Sequence, residues 1–198
     1  MEESGKGGEI MCGRFYIMRQ IYLVLKDMGI DVKPEQILLG DCFPKQKIPV
    51  IVMEKGQYVV KNMQWGYHFP YDSRLVINAR SETLLEKKMF QKDMKVRRCL
   101  IFARGFYEWD HQKHMLSFEN EDDSIMMMAG LYNENKEVVI ITKQANDVMR
   151  PIHSRMPVII KPEHMHQWFD MTSSYFHFDA IESAIKIVNG SHQLSLFG

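Results

Sequence analysis

The sequence predicts an α+β fold: a single domain whose core is a strongly curved, β-barrel-like antiparallel sheet with peripheral helices. Three observations predict it. Short β-branched and aromatic runs recur at residues 48–53, 58–65, 98–103, 125–132 and 137–142, punctuated by turn-forming clusters. Apolar residues at helical spacing are confined to a few stretches, residues 17–28, 83–90, 162–169 and 179–184. Finally, 198 residues with no repeat and no linker suit one domain with a sizeable core.

Taken in order, residues 1–11 are polar and glycine-rich and read as a leader that is removed or never translated. The run Gly5-Lys6-Gly7-Gly8-Glu9 can be back-translated to a purine-rich ribosome-binding site ahead of Met11, which would then be the true start. Ile17, Ile21, Val24, Leu25 and Met28 predict a helix over 17–28, stopped by Gly29. Cys42 is expected in a loop, Phe43-Pro44-Lys45-Gln46 is a loop leading into a strand, and Glu54-Lys55-Gly56-Gln57 is a hairpin turn between strands 48–53 and 58–65. After Trp65-Gly66 an aromatic loop runs through Tyr67-His68-Phe69-Pro70-Tyr71. Thr83 with Glu86 fits a capping box opening a helix through Phe90. Residues 98–103 read as a buried strand containing Cys99, followed by Gly105-Phe106-Tyr107-Glu108-Trp109 at a strand end. Strands at 115–119, 125–132 and 137–142 follow, with acidic turns, and then a short helix at 145–149. A strand at 158–160, a helix at 162–169 opened by Pro162, a helix at 179–184 and a last strand at 185–188 complete the domain. Its bounds are 12–190, with residues 191–198 as a tail.

Composition narrows the function classes. Lys+Arg and Asp+Glu both count 25, so the net charge is zero. That argues against broad electrostatic binding of duplex DNA and leaves room for a short basic groove around a single strand. The three cysteines, Cys12, Cys42 and Cys99, form no CxxC and no zinc-spaced pair with histidine, so neither a metal nor a cofactor is expected. The scattered cysteines suit a reducing cytoplasm, no apolar run spans a membrane and no signal peptide is visible, so a cytoplasmic location is expected, and separately a monomer.

Chemistry concentrates at Met11-Cys12-Gly13-Arg14-Phe15. Losing the residues before it would leave Cys12 with a thiol and a free α-amine on adjacent carbons, their ordinary pKa values about 8.5 and about 7.7–8.0. Such a 1,2-aminothiol condenses with an aldehyde through nitrogen and closes a five-membered thiazolidine through sulfur. It also suits an N-terminal nucleophile that uses its own amine as base.

Four segments together carry a resemblance: Met11-Cys12-Gly13-Arg14-Phe15, Asn78-Ala79-Arg80-Ser81-Glu82-Thr83, Gly105-Phe106-Tyr107-Glu108-Trp109 and His153-Ser154-Arg155-Met156-Pro157. In order and spacing they resemble the SOS response-associated peptidase (SRAP) family, from Met11 to about Val188. The resemblance implies a protein that senses abasic sites in single-stranded DNA during replication and the SOS response, with a bacterial cytoplasmic, nucleoid-associated location at replication forks. It implies a crosslink through an N-terminal cysteine, after self-removal of whatever precedes that cysteine. The implied catalytic set is Cys12, Asn78, Glu108 and His153. Glu108 would act as general acid/base, Asn78 would hold Cys12 or steady developing oxyanion charge, and His153 would shuttle a proton. Arg14, Arg80 and Arg155 would clamp phosphates, with Lys45 as an added contact where relatives carry threonine. Trp65, Trp109, Phe43 and Tyr67 are candidates for stacking on bases, although any one of them more readily fills a core. Relatives typically show a second tryptophan where this chain has Phe69-Pro70-Tyr71.

Two other readings remain open: an N-terminal-nucleophile peptidase or amidohydrolase acting on other molecules, and a non-covalent single-strand binder. The tail Gln193-Leu194-Ser195-Leu196-Phe197 resembles the peptide with which bacterial replication proteins bind the sliding clamp. Gln193 would supply an amide contact and Leu194, Leu196 and Phe197 apolar anchors, unless they pack back on the domain.

Overall fold

Every residue of the run Arg98-Cys99-Leu100-Ile101-Phe102-Ala103 is buried. A strand with no solvent face must be covered on both sides, and the rest of the fold supplies that cover. The computed structural model describes residues 12–69, 72–172, 176–178 and 183–188. In it this run is strand β8 (Arg98–Ala103), counted after β1 (Phe15–Ile17), β2 (Gly40–Cys42), β3 (Lys47–Glu54), β4 (Gln57–Trp65), β5 (Tyr67–Phe69), β6 (Asp72–Val76) and β7 (Asn78–Arg80). Beyond it come β9 (Gly105–Trp109), β10 (Met115–Asn120), β11 (Met126–Tyr132), β12 (Glu137–Gln144), β13 (Arg155–Pro157) and β14 (Ile185–Val188). Among the described residues three short helices accompany them: α1 (Ile21–Asp27), α2 (Lys88–Val96) and α3 (Met165–Phe169).

β8 lies between β3 and β11, antiparallel to both. β3 returns through a hairpin to β4, β4 pairs with β12, and β12 pairs with β11, so the pairings close into a ring. The curved core expected from the sequence is therefore a barrel. Its β4–β12 contact is parallel, as is the pairing of β7 with β12. A second sheet, in the order β14-β10-β9-β1-β2, lies against it, with β1 packed on β8. Phe15 of β1 meets Trp65 of β4 with ring centroids 5.1 Å apart, and Phe106 stacks on Phe118 at 5.2 Å. α2 and α3 cover the other flank of β8. β1, β9 and β10 come so close at Gly105 that a Cβ there would lie 2.5 Å from the Phe118 carbonyl oxygen.

Arg98 is the one buried charge in β8, and it is fully engaged. Its Nε donates to the Met94 carbonyl at 2.7 Å and its Nη1 to the carbonyls of Trp168 and Asp170 at 3.1 and 3.2 Å. The guanidinium lies 5.4 Å from the Trp168 ring centre. One side chain thus pins α2, β8 and α3 together.

Several boundaries differ from the sequence expectation. The helix expected over 17–28 begins only at Ile21, because Phe15-Tyr16-Ile17 is taken up as a strand between β2 and β9. Cys42 is buried in β2 rather than lying in a loop. Thr83 ends a 3-10 turn, and α2 starts five residues later and runs past Phe90 to Val96. Its buried pair Phe90 and Met94, spaced i and i+4, sets that frame. Residues 145–149 form a turn, not a helix. Part of the aromatic loop pairs as the β5–β6 hairpin. The expectations for residues 1–11, Pro70-Tyr71, most of 179–184 and the tail from 189 onward, including Gln193, Leu194, Leu196 and Phe197, fall outside the described residues.

Candidate active site

The register of β1 against β9 brings the start of the domain to Glu108. Phe15 faces Phe106, and the Tyr107 N–H donates to the Arg14 carbonyl at 2.9 Å, so the chain before β1 runs beside the end of β9. There the Cys12 backbone N–H donates to Glu108 Oε1. Both residues are buried, at 0% and 4% exposure. Cys12 takes a left-handed φ of +51°, uncommon for a residue with a side chain. Burial pushes its thiol well above the ordinary range, and the negative charge of Glu108 pushes in the same direction. The sulfur is therefore protonated at neutral pH, and the group in contact with the carboxylate is the nitrogen.

Asn78 and His153 come from the barrel side. Asn78 opens β7 and faces Ile140 of β12. His153 closes the turn before β13, where its own N–H donates to the Met149 carbonyl at 2.9 Å. Its Nδ1 accepts the Arg155 backbone N–H at 3.0 Å, which places the neutral ring's proton on Nε2. The two halves are joined through Trp65: its ring packs on Phe15, three residues after Cys12, and its Nε1 donates to the carbonyl of Ile77, next to Asn78, at 3.2 Å.

The arginines divide. Arg14 is ion-paired to Asp41 and its guanidinium lies between the rings of Phe43 and Tyr107, 5.0 and 4.9 Å from their centres. Arg155 grips Glu82 with both arms, Nη1 to Oε1 at 2.7 Å and Nη2 to Oε2 at 2.9 Å, and also donates to the Thr142 carbonyl at 2.7 Å. Arg80 is exposed and has no partner among the described residues. Burial is the largest single influence and would raise the Glu82 carboxyl, but the hydrogen bonds and charge of Arg155, with a backbone hydrogen bond, together hold the group below its usual range.

The four aromatic candidates also divide. Trp109 and Phe43 are 43% and 40% exposed and remain open to stack on a base. Trp65 and Tyr67 are corrected to core residues. Trp65 is sealed against Phe15, and Tyr67 donates its hydroxyl to Asp93 at 3.0 Å while packing on Phe90. Their hydroxyl and indole N–H find buried acceptors, which is why aromatic type alone could not separate them from platforms. Lys45 is exposed at a left-handed φ of +73°, its N–H donating to the Trp65 carbonyl at 2.8 Å. Sequence reasoning assigned no role to Asp41, Glu82 or Thr142. Glu82 stood inside a quoted motif, but which arginine it would meet depends on the β7–β12–β13 pairing.

Among the described residues no group of His, Cys, Asp and Glu is arranged to hold a metal, and no helix is long and apolar enough to cross a membrane.

Residues 11–188 match the family described as SOS response associated peptidase (SRAP). The chain belongs to the SRAP family. Among its SRAP relatives, abasic site processing protein YoqW of Bacillus subtilis is 31% identical over 180 residues, covering 81% of this chain and 80% of that one. Abasic site processing protein YedK of Escherichia coli is 28% identical over 176 residues, covering 80% and 79%. The fold is similar to that of a crystal structure from Bacteroides thetaiotaomicron, with a TM-score of 0.69 at 21% identity over 82% of each chain. A phage-related protein of Bordetella bronchiseptica gives the same TM-score at 19% identity, over 90% of this chain and 95% of that one.

Proposed function

We propose that this SRAP chain processes abasic sites in single-stranded DNA by crosslinking to them through Cys12, once the residues before Cys12 are gone. The observation that carries the reading is the hydrogen bond from the Cys12 nitrogen to Glu108. In the uncut chain that nitrogen is an amide, and Glu108 is within reach to protonate it as it leaves while a water molecule adds to the Met11 carbonyl carbon and ends in its carboxylate. In the cut chain it is the α-amine, and the same carboxylate takes its proton so that it can attack an aldehyde. The names of the relatives support an abasic site as the source of that aldehyde.

The steps balance without an outside oxidant or reductant. The amine adds to the aldehyde carbon to give a carbinolamine, which loses water to become an imine. The Cys12 sulfur then adds to the imine carbon and its proton ends on nitrogen, closing the thiazolidine. A thiol protonated at rest suits this order, because sulfur acts last and delivers a proton. In this reading the His153 Nε2–H donates a hydrogen bond to the departing hydroxyl or the opening sugar ring, Glu108 returns the proton it took so that the hydroxyl leaves as water, and Asn78 holds the aldehyde oxygen.

Incubation with single-stranded oligonucleotides, with and without an abasic site, tests the proposal. A heat-stable adduct with the lesion alone is the expected result. Cleaved peptide without adduct, or reversible binding to both oligonucleotides alike, would replace it with one of the two other readings.

The division among the arginines gives a second expectation. Arg80→Ala should lower the slope of log affinity against log salt on single-stranded DNA by about 0.7, the value for one phosphate contact. Replacing the internally matched pair together, Glu82→Gln with Arg155→Gln, should leave that slope unchanged. Titrations by fluorescence anisotropy across salt concentrations decide between them, and an equal fall in both proteins would contradict the division.

A further inference from the structure

Three strands that carry the barrel side of the site are tied at one point. The Arg155 guanidinium, on β13, reaches Glu82 just beyond β7 and both the carbonyl and hydroxyl oxygens of Thr142 on β12, the last two at 2.7 and 3.2 Å. In the sheet Thr142 faces Arg80 on one side and Pro157 on the other, so the knot sits where β7, β12 and β13 meet. The Arg155 side chain is only 11% exposed and the Glu82 side chain 41%. The carboxylate thus caps the guanidinium from the solvent side, and both arms of the fork that would grip a phosphate are already occupied.

The backbone of the same arginine sets the histidine. Its N–H, two residues on, is the donor to His153 Nδ1. An Nδ1 that accepts cannot carry the neutral ring's proton, so the position of the Arg155 main chain decides which nitrogen of His153 is the donor. Ser154, between them, is held by its carbonyl accepting the Ala145 N–H at 3.0 Å. A fixed Arg155 therefore fixes His153, and it does so relative to β7, the strand that opens with Asn78.

From these contacts we infer that Glu82 is a positioning residue, acting through Arg155 to hold His153 in its Nε2–H tautomer and in register with Asn78. The inference gives Arg155 a task within the protein's own scaffold. It depends on the proposed crosslinking reaction for its rate readout, while its spectroscopic readout needs no DNA at all.

The test uses the full chain labelled with ¹⁵N in its imidazole rings, and the variants Glu82→Gln and Arg155→Lys. Glu82→Gln removes the charge and one arm of the bidentate grip. Arg155→Lys keeps the charge and loses the planar fork. Spectra taken above the histidine titration range should show His153 as the Nε2–H form in the wild type. Each variant should bring in the Nδ1–H form and slow adduct formation about tenfold, the cost of slack in a positioned group. A purely electrostatic role predicts an effect in Glu82→Gln and none in Arg155→Lys, and that pattern overturns the inference. So does an unchanged tautomer in both variants, provided circular dichroism shows them folded. A tautomer shift in both variants beside a wild type that forms no adduct would sustain the positioning role and reject the crosslinking reaction instead.

Discussion

Replacing Cys12 with alanine is expected to abolish the heat-stable adduct while reversible binding to single-stranded DNA stays near its wild-type level. The expectation follows from what each atom does. An α-amine alone stops at an imine, which water reverses; sulfur on the neighbouring carbon is needed to close the ring. Cys12→Ser should fail in the same way, since the oxygen analogue closes a weaker ring. The other two thiols are poor substitutes. Cys42 is buried in β2, its thiol pushed up to about 12 by burial and by the charge of Asp41. Cys99 is buried in β8 and burial pushes its thiol well above the ordinary range. Electrophoresis after heating, on Cys12→Ala, Cys42→Ala and Cys99→Ala proteins with verified folding, checks the assignment. Loss of the adduct on changing Cys42 or Cys99, with Cys12→Ala unaffected, would mean the wrong thiol.

Glu108→Gln should slow crosslinking by about 10² or more, the usual worth of a placed acid/base group, with DNA affinity nearly intact. Glutamine keeps an oxygen for the Cys12 nitrogen but cannot take its proton. The defect should be largest near neutral pH, where an unaided α-amine is mostly ammonium. It should shrink as pH rises through about 8, where that amine loses its proton unaided. Single-turnover rates from pH 6 to pH 9 measure this. A defect that does not change with pH would show that Glu108 acts on something other than the amine.

Much of this was legible before any coordinates. The strands at β3, β4, β8, β11 and β12 are β-branched or apolar runs between turn signals, and local pattern places them. Closure of the barrel was not legible in the same way. It rests on the parallel β4–β12 pairing, a contact between strands some seventy residues apart that no local periodicity encodes. The start of α1 was misplaced because Ile17 fits both a helical face and a buried strand, and only the flanking strands β2 and β9 decide.

The site shows the same division. Residue type and motif nominated Cys12 and Glu108, and the β1–β9 register is what makes them touch. Trp65 and Trp109 are equivalent as letters, yet one ends a barrel strand packed against Phe15 and the other ends β9, the middle strand of the second sheet, with its side chain exposed. Arg155 looked like Arg80 in sequence. It differs because a carboxylate from a distant turn reaches it, which pairing information alone would reveal.

The most direct test of the central claim is the mass of the purified crosslinked species after nuclease digestion. The account predicts a chain beginning at Cys12, with the remnant of one sugar attached to that residue and one water lost in the linkage. A chain that still carries residues ahead of Cys12, or a remnant attached to any other side chain, would contradict it.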